Sequence, residues 1–340
     1  MTSKIEAMPV DNTQPIFVIG NPRSGTTLVR LVITTHSAVC IPPECSFIVR
    51  LFPKYGHLQH FTAAQARAFL SDLGGGTLDL AEQWEIALTK MVTSPEQLTD
   101  LSYPEACAHL YCAYAQAKGF GSARIWGDKN NSHSNYIDVL AGLYSKARFV
   151  HVVRDGRAVL NSYKQLNVDP AQKYAPLLPK NTAAVAARWT DMVDRADRHL
   201  TRFAAGRHMT VRYEDILSDF EKTVSELCGF LGLDYEPAMA RFHEANIRHK
   251  LEPERYNWKA NARQPLNVTR ASAWRETLSL EDVRLFEAKA MRILRRHGYP
   301  VGLEASRAAI PDPYHMKGRI REWLRSKRKT AIDFRRKVGM

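Results

Sequence analysis

A short loop between residues 20 and 27 carries the side chains best suited to chemistry in this chain. Its sequence is Gly-Asn-Pro-Arg-Ser-Gly-Thr-Thr, with Arg23 inside the loop and the hydroxyls of Ser24, Thr26 and Thr27 close behind it. A loop of this kind that opens a helix presents several backbone N–H groups and the positive end of the helix dipole to one point. Because a phosphate-like dianion needs that arrangement, the loop is a candidate anion site.

The residue types in this loop distinguish two kinds of group transfer. Gly20 and Gly25 stand at the spacing of the Walker P-loop, but that motif places Lys where this chain has Thr26. A kinase uses that Lys on the β- and γ-phosphates, beside a metal ion held by the following hydroxyl. The cation here is Arg23, which favours a different terminal group. A plain strand-to-helix turn is the alternative interpretation.

The segments around the loop predict how it is held. The apolar run at 16–19 is typical of a buried parallel strand, and the spacing of Leu28, Leu31 and Val32 is typical of a helix packed onto it. Further strands are predicted at 38–41, 124–129, 148–153 and 208–213. Predicted helices lie at 62–73, 80–90, 102–118, 136–144, 182–203, 217–231 and 280–297. This alternation predicts an α/β, P-loop-like three-layer fold with a central parallel sheet flanked by helices.

Length and composition predict one domain with two flanking segments. The 340 residues divide into a flexible N-terminus at 1–14, a catalytic domain at 15–303 and a basic C-terminal tail at 304–340. The N-terminus lacks the apolar core of a signal peptide, and no run is long enough to cross a bilayer, so we expect a cytoplasmic protein. The five cysteines show no metal-ligand spacing, which predicts buried free thiols and no metal site.

Much of the positive charge lies at the C-terminus. The formal net charge is +13, and residues 316–340 hold ten basic and two acidic residues, a net +8. The remaining chain is therefore only mildly basic, and we expect no sequence-specific nucleic-acid binding. Ile320, Trp323 and Leu324 fall near one side of a helix that is otherwise rich in Lys and Arg. Peripheral contact with the anionic inner membrane face is one interpretation, and a solvated basic tail is the other.

Two motifs in the same order resemble those of the sulfotransferases that use 3′-phosphoadenosine 5′-phosphosulfate (PAPS). Residues 22–27 are similar to their phosphosulfate-binding loop, and residues 149–157 resemble the strand that bears their 3′-phosphate-binding Arg. Arg154 and Ser162, eight positions later, match the Arg–Ser pair that holds the 3′-phosphate. The resemblance spans residues 15–300, and it is strongest for bacterial members and the tyrosylprotein branch. It implies sulfuryl transfer from PAPS to a hydroxyl of a carbohydrate, lipid or small metabolite.

The resemblance also implies roles for individual side chains. Arg23 would stabilise the transferring sulfuryl group without a metal ion, because sulfuryl carries less charge than phosphoryl. Glu44, 21 residues after Arg23, matches the proposed catalytic base, and a carboxylate in reach of the acceptor hydroxyl contributes general-base catalysis. The alternative is that Glu44 caps a helix that starts near Cys45. Lys129 matches a second cation that neutralises the bridging oxygen. The 5′-phosphosulfate would be cradled by Ser24, Gly25, Thr26 and Thr27.

Three positions match the family less closely. Tyr213 is similar to a residue near the adenosine, although a core tyrosine is the alternative. Ser272, just before Trp274, matches a serine of the cofactor loop in the tyrosylprotein branch. Leu166 stands where that branch carries a basic residue one turn beyond the position of Ser162. This departure implies a weaker hold on the 3′-phosphate.

Two other functions share part of this pattern. A P-loop phosphotransferase would need the Walker Lys and a carboxylate for Mg²⁺, and the missing Lys argues against it. A non-catalytic nucleotide-binding or membrane-scaffold protein would keep the cofactor loops, but Glu44 and Lys129 favour catalysis. The helices predicted between residues 62 and 118 would cover the acceptor opening, and their composition does not identify an acceptor.

Overall fold

A parallel sheet is the centre of the computed structural model, which describes residues 14–75, 78–167, 176–244 and 264–302. Its five strands run in the order β2-β3-β1-β4-β5, all parallel. They are β1 (Ile16–Gly20), β2 (Val39–Cys40), β3 (Ile125–Lys129), β4 (Arg148–Val153) and β5 (His208–Arg212). In β1, Val18 is in register with Lys129 on one side and Val150 on the other. The predicted α/β fold is confirmed.

Helices follow or precede each strand within the described residues. Those of the first half are α1 (Thr26–Thr34), α2 (Phe47–Tyr55), α3 (Ala63–Leu73), α4 (Leu80–Trp84), α5 (Leu88–Met91), α6 (Tyr103–Ala117) and α7 (Ile137–Leu143). Those of the second half are α8 (Gly156–Gln165), α9 (Thr182–Phe203), α10 (Tyr213–Ser218), α11 (Phe220–Leu231), α12 (Trp274–Thr277) and α13 (Leu280–Arg296). Short 3₁₀ turns lie at Pro95–Leu98, Asn131–Asn135, Pro237–Arg241 and Val268–Ala271.

The strand β1 is buried on both faces, which makes the domain three layers thick. Phe17 and Ile19 face a core shared with α2 to α7 and with the C-terminal half of α9. Ile16 and Val18 face the opposite core, which is formed with α1, α10 and α11. The alternation follows from the two-residue period of a strand, and a run that is apolar at every position suits a sheet covered on both sides.

Two predicted elements have different bounds in the structure. The helix predicted at 80–90 is broken into α4 and α5, because Glu85 adopts a left-handed conformation with φ 52°. The helix predicted at 217–231 corresponds to α11, which begins three residues later, at Phe220, with Asp219 as its N-cap residue. Residues 213–218 form the separate helix α10, and Asp219, at φ −146° and ψ 75°, divides the two helices. The helical segment begins at Tyr213, directly after β5.

Several predictions concern residues beyond the described ranges. The tail at 304–340, including the interfacial segment at 316–340, lies outside them, and so does most of the N-terminal segment at 1–14. The division into three segments stays a prediction. Within the described ranges, no helix has both the length and the apolar character needed to cross a membrane.

Candidate active site

The loop between β1 and α1 forms a closed turn at the carboxyl end of the central strand. The N–H of Ser24 donates to the carbonyl of Asn21 at 3.1 Å, and both Arg23 and Gly25 adopt left-handed conformations, with φ 69° and 93°. A glycine is required at position 25, because a Cβ there would lie 2.3 Å from Cδ2 of Tyr213. The hydroxyl of Ser24 is buried and makes no hydrogen bond among the described residues. An unused buried donor at this point fits an anion site.

The threonines of the loop connect it to the end of β3. Thr26 Oγ1 donates to Asn131 Oδ1 at 3.1 Å, and Thr27 Oγ1 accepts from Lys129 Nζ at 3.1 Å. Both contacts depend on the sheet, since β3 lies beside β1 and its last residue, Lys129, is in register with Val18, two residues before the end of β1. The carboxyl ends of parallel strands gather functional side chains in this way.

Glu44 and Lys129 form an ion pair beside the loop. Lys129 is fully buried, and its Nζ donates to Oε1 of Glu44 as well as to Thr27. Glu44 keeps 28% of its side chain exposed, so its carboxylate reaches solvent. Glu44 is not the N-cap residue of the following helix, because α2 begins at Phe47 and its N-cap residue is Ser46. The carboxylate is instead held by a cation at the edge of the anion loop.

Arg23, Arg154 and Ser162 belong to one hydrogen-bond network. Arg23 Nε donates to Ser162 Oγ at 3.2 Å, and Arg154 Nη1 donates to the carbonyl of Arg23 at 3.1 Å. Arg154 Nη2 donates to the carbonyl of Arg270 at 2.9 Å. The structure thus brings Arg154 and Ser162 together through Arg23. The Arg23 side chain therefore contacts Ser162, which is one of the two residues predicted to hold the 3′-phosphate.

Positive charge is concentrated around this network. The pKa of Arg23 is lowered, first by burial and then by the charges of Arg154 and Arg270. Tyr163 also contacts the loop, where its hydroxyl accepts from Asn21 Nδ2 at 3.1 Å. Burial raises the pKa of Tyr163, so its hydroxyl stays neutral. A bound anion stabilises neighbouring guanidinium groups, because it offsets the repulsion between their charges.

Comparison with known proteins identifies the family of this chain. The profile described as the sulfotransferase family matches residues 15–237. The chain belongs to the sulfotransferase family. It is 24% identical over 305 residues to protein-tyrosine sulfotransferase 1 of Danio rerio, and the match covers 88% of this chain and 76% of that protein. It is 23% identical over 319 residues to the omega-hydroxy-beta-dihydromenaquinone-9 sulfotransferase of Mycobacterium tuberculosis, with 84% and 75% covered.

Solved structures show the same fold. The sulfotransferase domain from the curacin biosynthetic pathway matches with a TM-score of 0.54 at 16% identity. That match covers 85% of this chain and 99% of the other. The chain is therefore a sulfotransferase in family and in fold.

Two of the weaker candidates, Tyr213 and Ser272, differ in burial. Tyr213 of this sulfotransferase is buried, and its ring packs on Gly25 and lies 4.5 Å from the guanidinium of Arg154. Its burial fits a core tyrosine, and its ring also borders the loop, so a position near the adenosine stays a prediction. Ser272 is exposed, and its hydroxyl donates to the carbonyl of Thr269 at 3.5 Å. Ser272 follows the 3₁₀ turn that supplies the carbonyl of Arg270 to Arg154.

Sequence reasoning missed several residues that hold the site. Asn131 and Arg270 bind Thr26 and Arg154, and neither is part of a recognised motif. The position of Asn131, two residues after Lys129 at a strand end, was an available signal. Arg270 had no comparable signal, because it lies 116 residues from Arg154 in the chain.

Proposed function

We propose that this sulfotransferase moves the sulfuryl group of PAPS to a hydroxyl acceptor, with Glu44 as the general base. The ion pair between Glu44 and Lys129 carries this proposal. Lys129 Nζ bonds to Glu44 and to Thr27 of the loop, so one ammonium group spans the distance between base and anion site. A carboxylate that is partly open to solvent at this point has access to an entering acceptor.

The residues around the loop fit PAPS as the sulfuryl donor. The loop N–H groups, with Ser24, Thr26 and Thr27, would hold the 5′-phosphosulfate, and Arg154 with Ser162 would hold the 3′-phosphate. Two buried donors support this fit, since Ser24 Oγ and Arg154 Nε make no hydrogen bond among the described residues. A buried unpaired donor costs free energy that a bound anion recovers. The charges of Arg23, Arg154 and Arg270 add a positive field to the same place.

Each charged side chain has a distinct role in the transfer. The acceptor oxygen attacks sulfur while its proton moves to a carboxylate oxygen of Glu44. As the bond from sulfur to the bridging phosphate oxygen breaks, negative charge grows on that oxygen, and Lys129 offsets it. Arg23 stabilises the charge on the sulfuryl oxygens during transfer. These cations and the loop amides supply a field that Mg²⁺ supplies in kinases, so we expect no metal requirement.

The acceptor is proposed only as a class. The names of the two relatives above refer to a protein tyrosine and to a hydroxylated dihydromenaquinone. The molecules that carry the acceptor hydroxyl therefore differ among the relatives. We propose a carbohydrate, lipid or small-metabolite hydroxyl for this enzyme. It would enter past the helices α2 to α6, which pack around the segment that carries Glu44.

The test follows sulfuryl transfer from labelled PAPS to a panel of hydroxyl acceptors in the presence of EDTA. Glu44→Gln keeps the shape and removes the charge, so kcat should fall by about 10²–10⁴ with nearly unchanged affinity for 3′-phosphoadenosine 5′-phosphate (PAP). Glu236→Gln is the matched control, because Glu236 accepts hydrogen bonds from Ser37 away from the loop. A Glu44→Gln enzyme with a wild-type rate and lowered thermal stability would make Glu44 structural. Activity that EDTA abolishes and Mg²⁺ restores would favour the phosphotransferase.

A further inference from the structure

Glu44 lies in a segment without regular secondary structure. Residues 41–46 connect β2 to α2, and they form neither a helix nor a strand. Pro42 and Pro43 have no backbone N–H, so at these two positions the segment can be tied only through its carbonyl oxygens. A general base loses much of its effect when it is misplaced by about 1 Å. Lys129 holds the carboxylate of Glu44, and the contacts of these carbonyls help to fix its backbone.

Two buried side chains donate to carbonyls on either side of Pro42. Arg30 Nη1, from α1, donates to the carbonyl of Ile41 at 3.1 Å. Trp84 Nε1, from α4, donates to the carbonyl of Pro43 at 2.9 Å. The second bond acts on the peptide group between Pro43 and Glu44, because that group contains the carbonyl of Pro43 and the N–H of Glu44. The orientation of this peptide plane sets the direction in which the Glu44 side chain leaves the backbone.

Trp84 is a rigid donor. Its side chain is 1% exposed and packs edge-on against Phe47, Tyr111 and Tyr114, with ring centroids 5.8, 5.0 and 5.0 Å away. These rings belong to α2 and α6, so the indole is fixed by the helices that cover the proposed acceptor opening. A side chain locked by its neighbours transmits the position of those neighbours to its hydrogen-bond partner.

We infer that Trp84 is a positioning residue for Glu44, which it orients through the carbonyl of Pro43. This inference rests on the proposed role of Glu44 as the base. It gives the helical cover a second role besides enclosing the acceptor. A shift of α4 would move the Pro43 peptide and change the distance between the carboxylate and the acceptor hydroxyl. Arg30 holds the other end of the same segment from the side of the anion loop.

The test is Trp84→Phe, which keeps an aromatic ring and removes the N–H. We expect kcat to fall by about 10–100-fold while PAP affinity and KM for PAPS stay at wild-type values. Tyr144→Phe is the matched control, because Tyr144 lies in the same core and its hydroxyl donates to the carbonyl of Pro104 at 3.0 Å. That variant loses a bond of the same kind to a carbonyl of α6 rather than to a carbonyl of the segment 41–46, so its kcat should not change. Hydrogen exchange at residues 44–46 should rise in Trp84→Phe and not in Tyr144→Phe.

Each outcome separates this inference from the proposed function. Equal kcat in Trp84→Phe and Tyr144→Phe would overturn the positioning role, and so would a fall in PAP affinity to match the fall in kcat. Glu44→Gln is measured in parallel: a wild-type rate there would refute the base and leave Trp84 nothing to position. If Trp84→Phe does not fold, β-(3-benzothienyl)alanine at position 84 replaces only the N–H by sulfur, and the same expectations apply.

Discussion

Arg154 offers the sharpest test of how this enzyme binds its nucleotide. Two of its N–H groups already donate to the carbonyls of Arg23 and Arg270, and its guanidinium lies 4.5 Å from the ring centre of Tyr213. It could therefore organise the loop, bind the 3′-phosphate, or do both. Replacing Arg154 by Ala removes all of these contacts, so loss of binding alone would not identify the 3′-phosphate. The design must compare ligands as well as proteins.

The expected loss of PAP affinity follows from one unpaired donor of Arg154. Arg154 Nε is buried without a hydrogen bond among the described residues, so a 3′-phosphate would gain a charge-assisted bond there. Such a bond contributes about 2–3 kcal/mol, which is about 30–150-fold in Kd. The loss of the two carbonyl contacts acts on the loop, and it should weaken every ligand of the loop alike.

The assay is calorimetry of wild type and Arg154→Ala with PAP and with adenosine 5′-phosphate, which lacks the 3′-phosphate. We expect the variant to lose about 30–150-fold in affinity for PAP and much less for adenosine 5′-phosphate. The difference between the two losses is the coupling between Arg154 and the 3′-phosphate. Equal losses for both ligands would refute the 3′-phosphate contact and leave Arg154 as a loop-organising residue. Unchanged PAP binding would show that Arg154 contributes neither to the loop nor to 3′-phosphate binding.

Two further predictions concern the loop and the tail. Gly25→Ala should lower the free energy of unfolding by about 2–4 kcal/mol, because it adds left-handed strain and a 2.3 Å contact with Tyr213. At Gly206, which has φ 71°, an added Cβ would meet no atom within 4 Å, so Gly206→Ala should cost only the backbone strain. Equal losses of unfolding free energy for the two variants in urea would contradict the packing argument. The segment 316–340 is expected to carry the protein onto anionic vesicles at low salt, whereas a chain ending at Pro313 should not sediment with them. If both remain in the supernatant, the membrane hypothesis is wrong.

The sequence alone determined the local elements of the active site. An apolar run that ends in glycine, a loop with Arg23, and a helix of apolar period are all encoded within some twenty residues, so β1, the loop and α1 were predictable. The strand before Arg154 and the helix that carries Ser162 were predictable for the same reason. Backbone exceptions were not predictable. The left-handed Glu85 breaks the helix predicted at 80–90, although its side-chain pattern continues through that residue, and Asp219 separates α10 from α11.

Only the tertiary structure decided which side chains meet. The sheet order places β3 beside β1, so Lys129 reaches both Thr27 and Glu44, which lie 102 and 85 residues away in the chain. The tertiary structure also brings Arg23 within hydrogen-bond distance of Ser162, 139 residues away in the chain. It likewise brings the indole N–H of Trp84 to the carbonyl of Pro43. Secondary structure follows from backbone sterics and short-range periodicity, which a single chain segment contains. Contacts between distant segments depend on how all the elements share one core, and no local pattern specifies that packing.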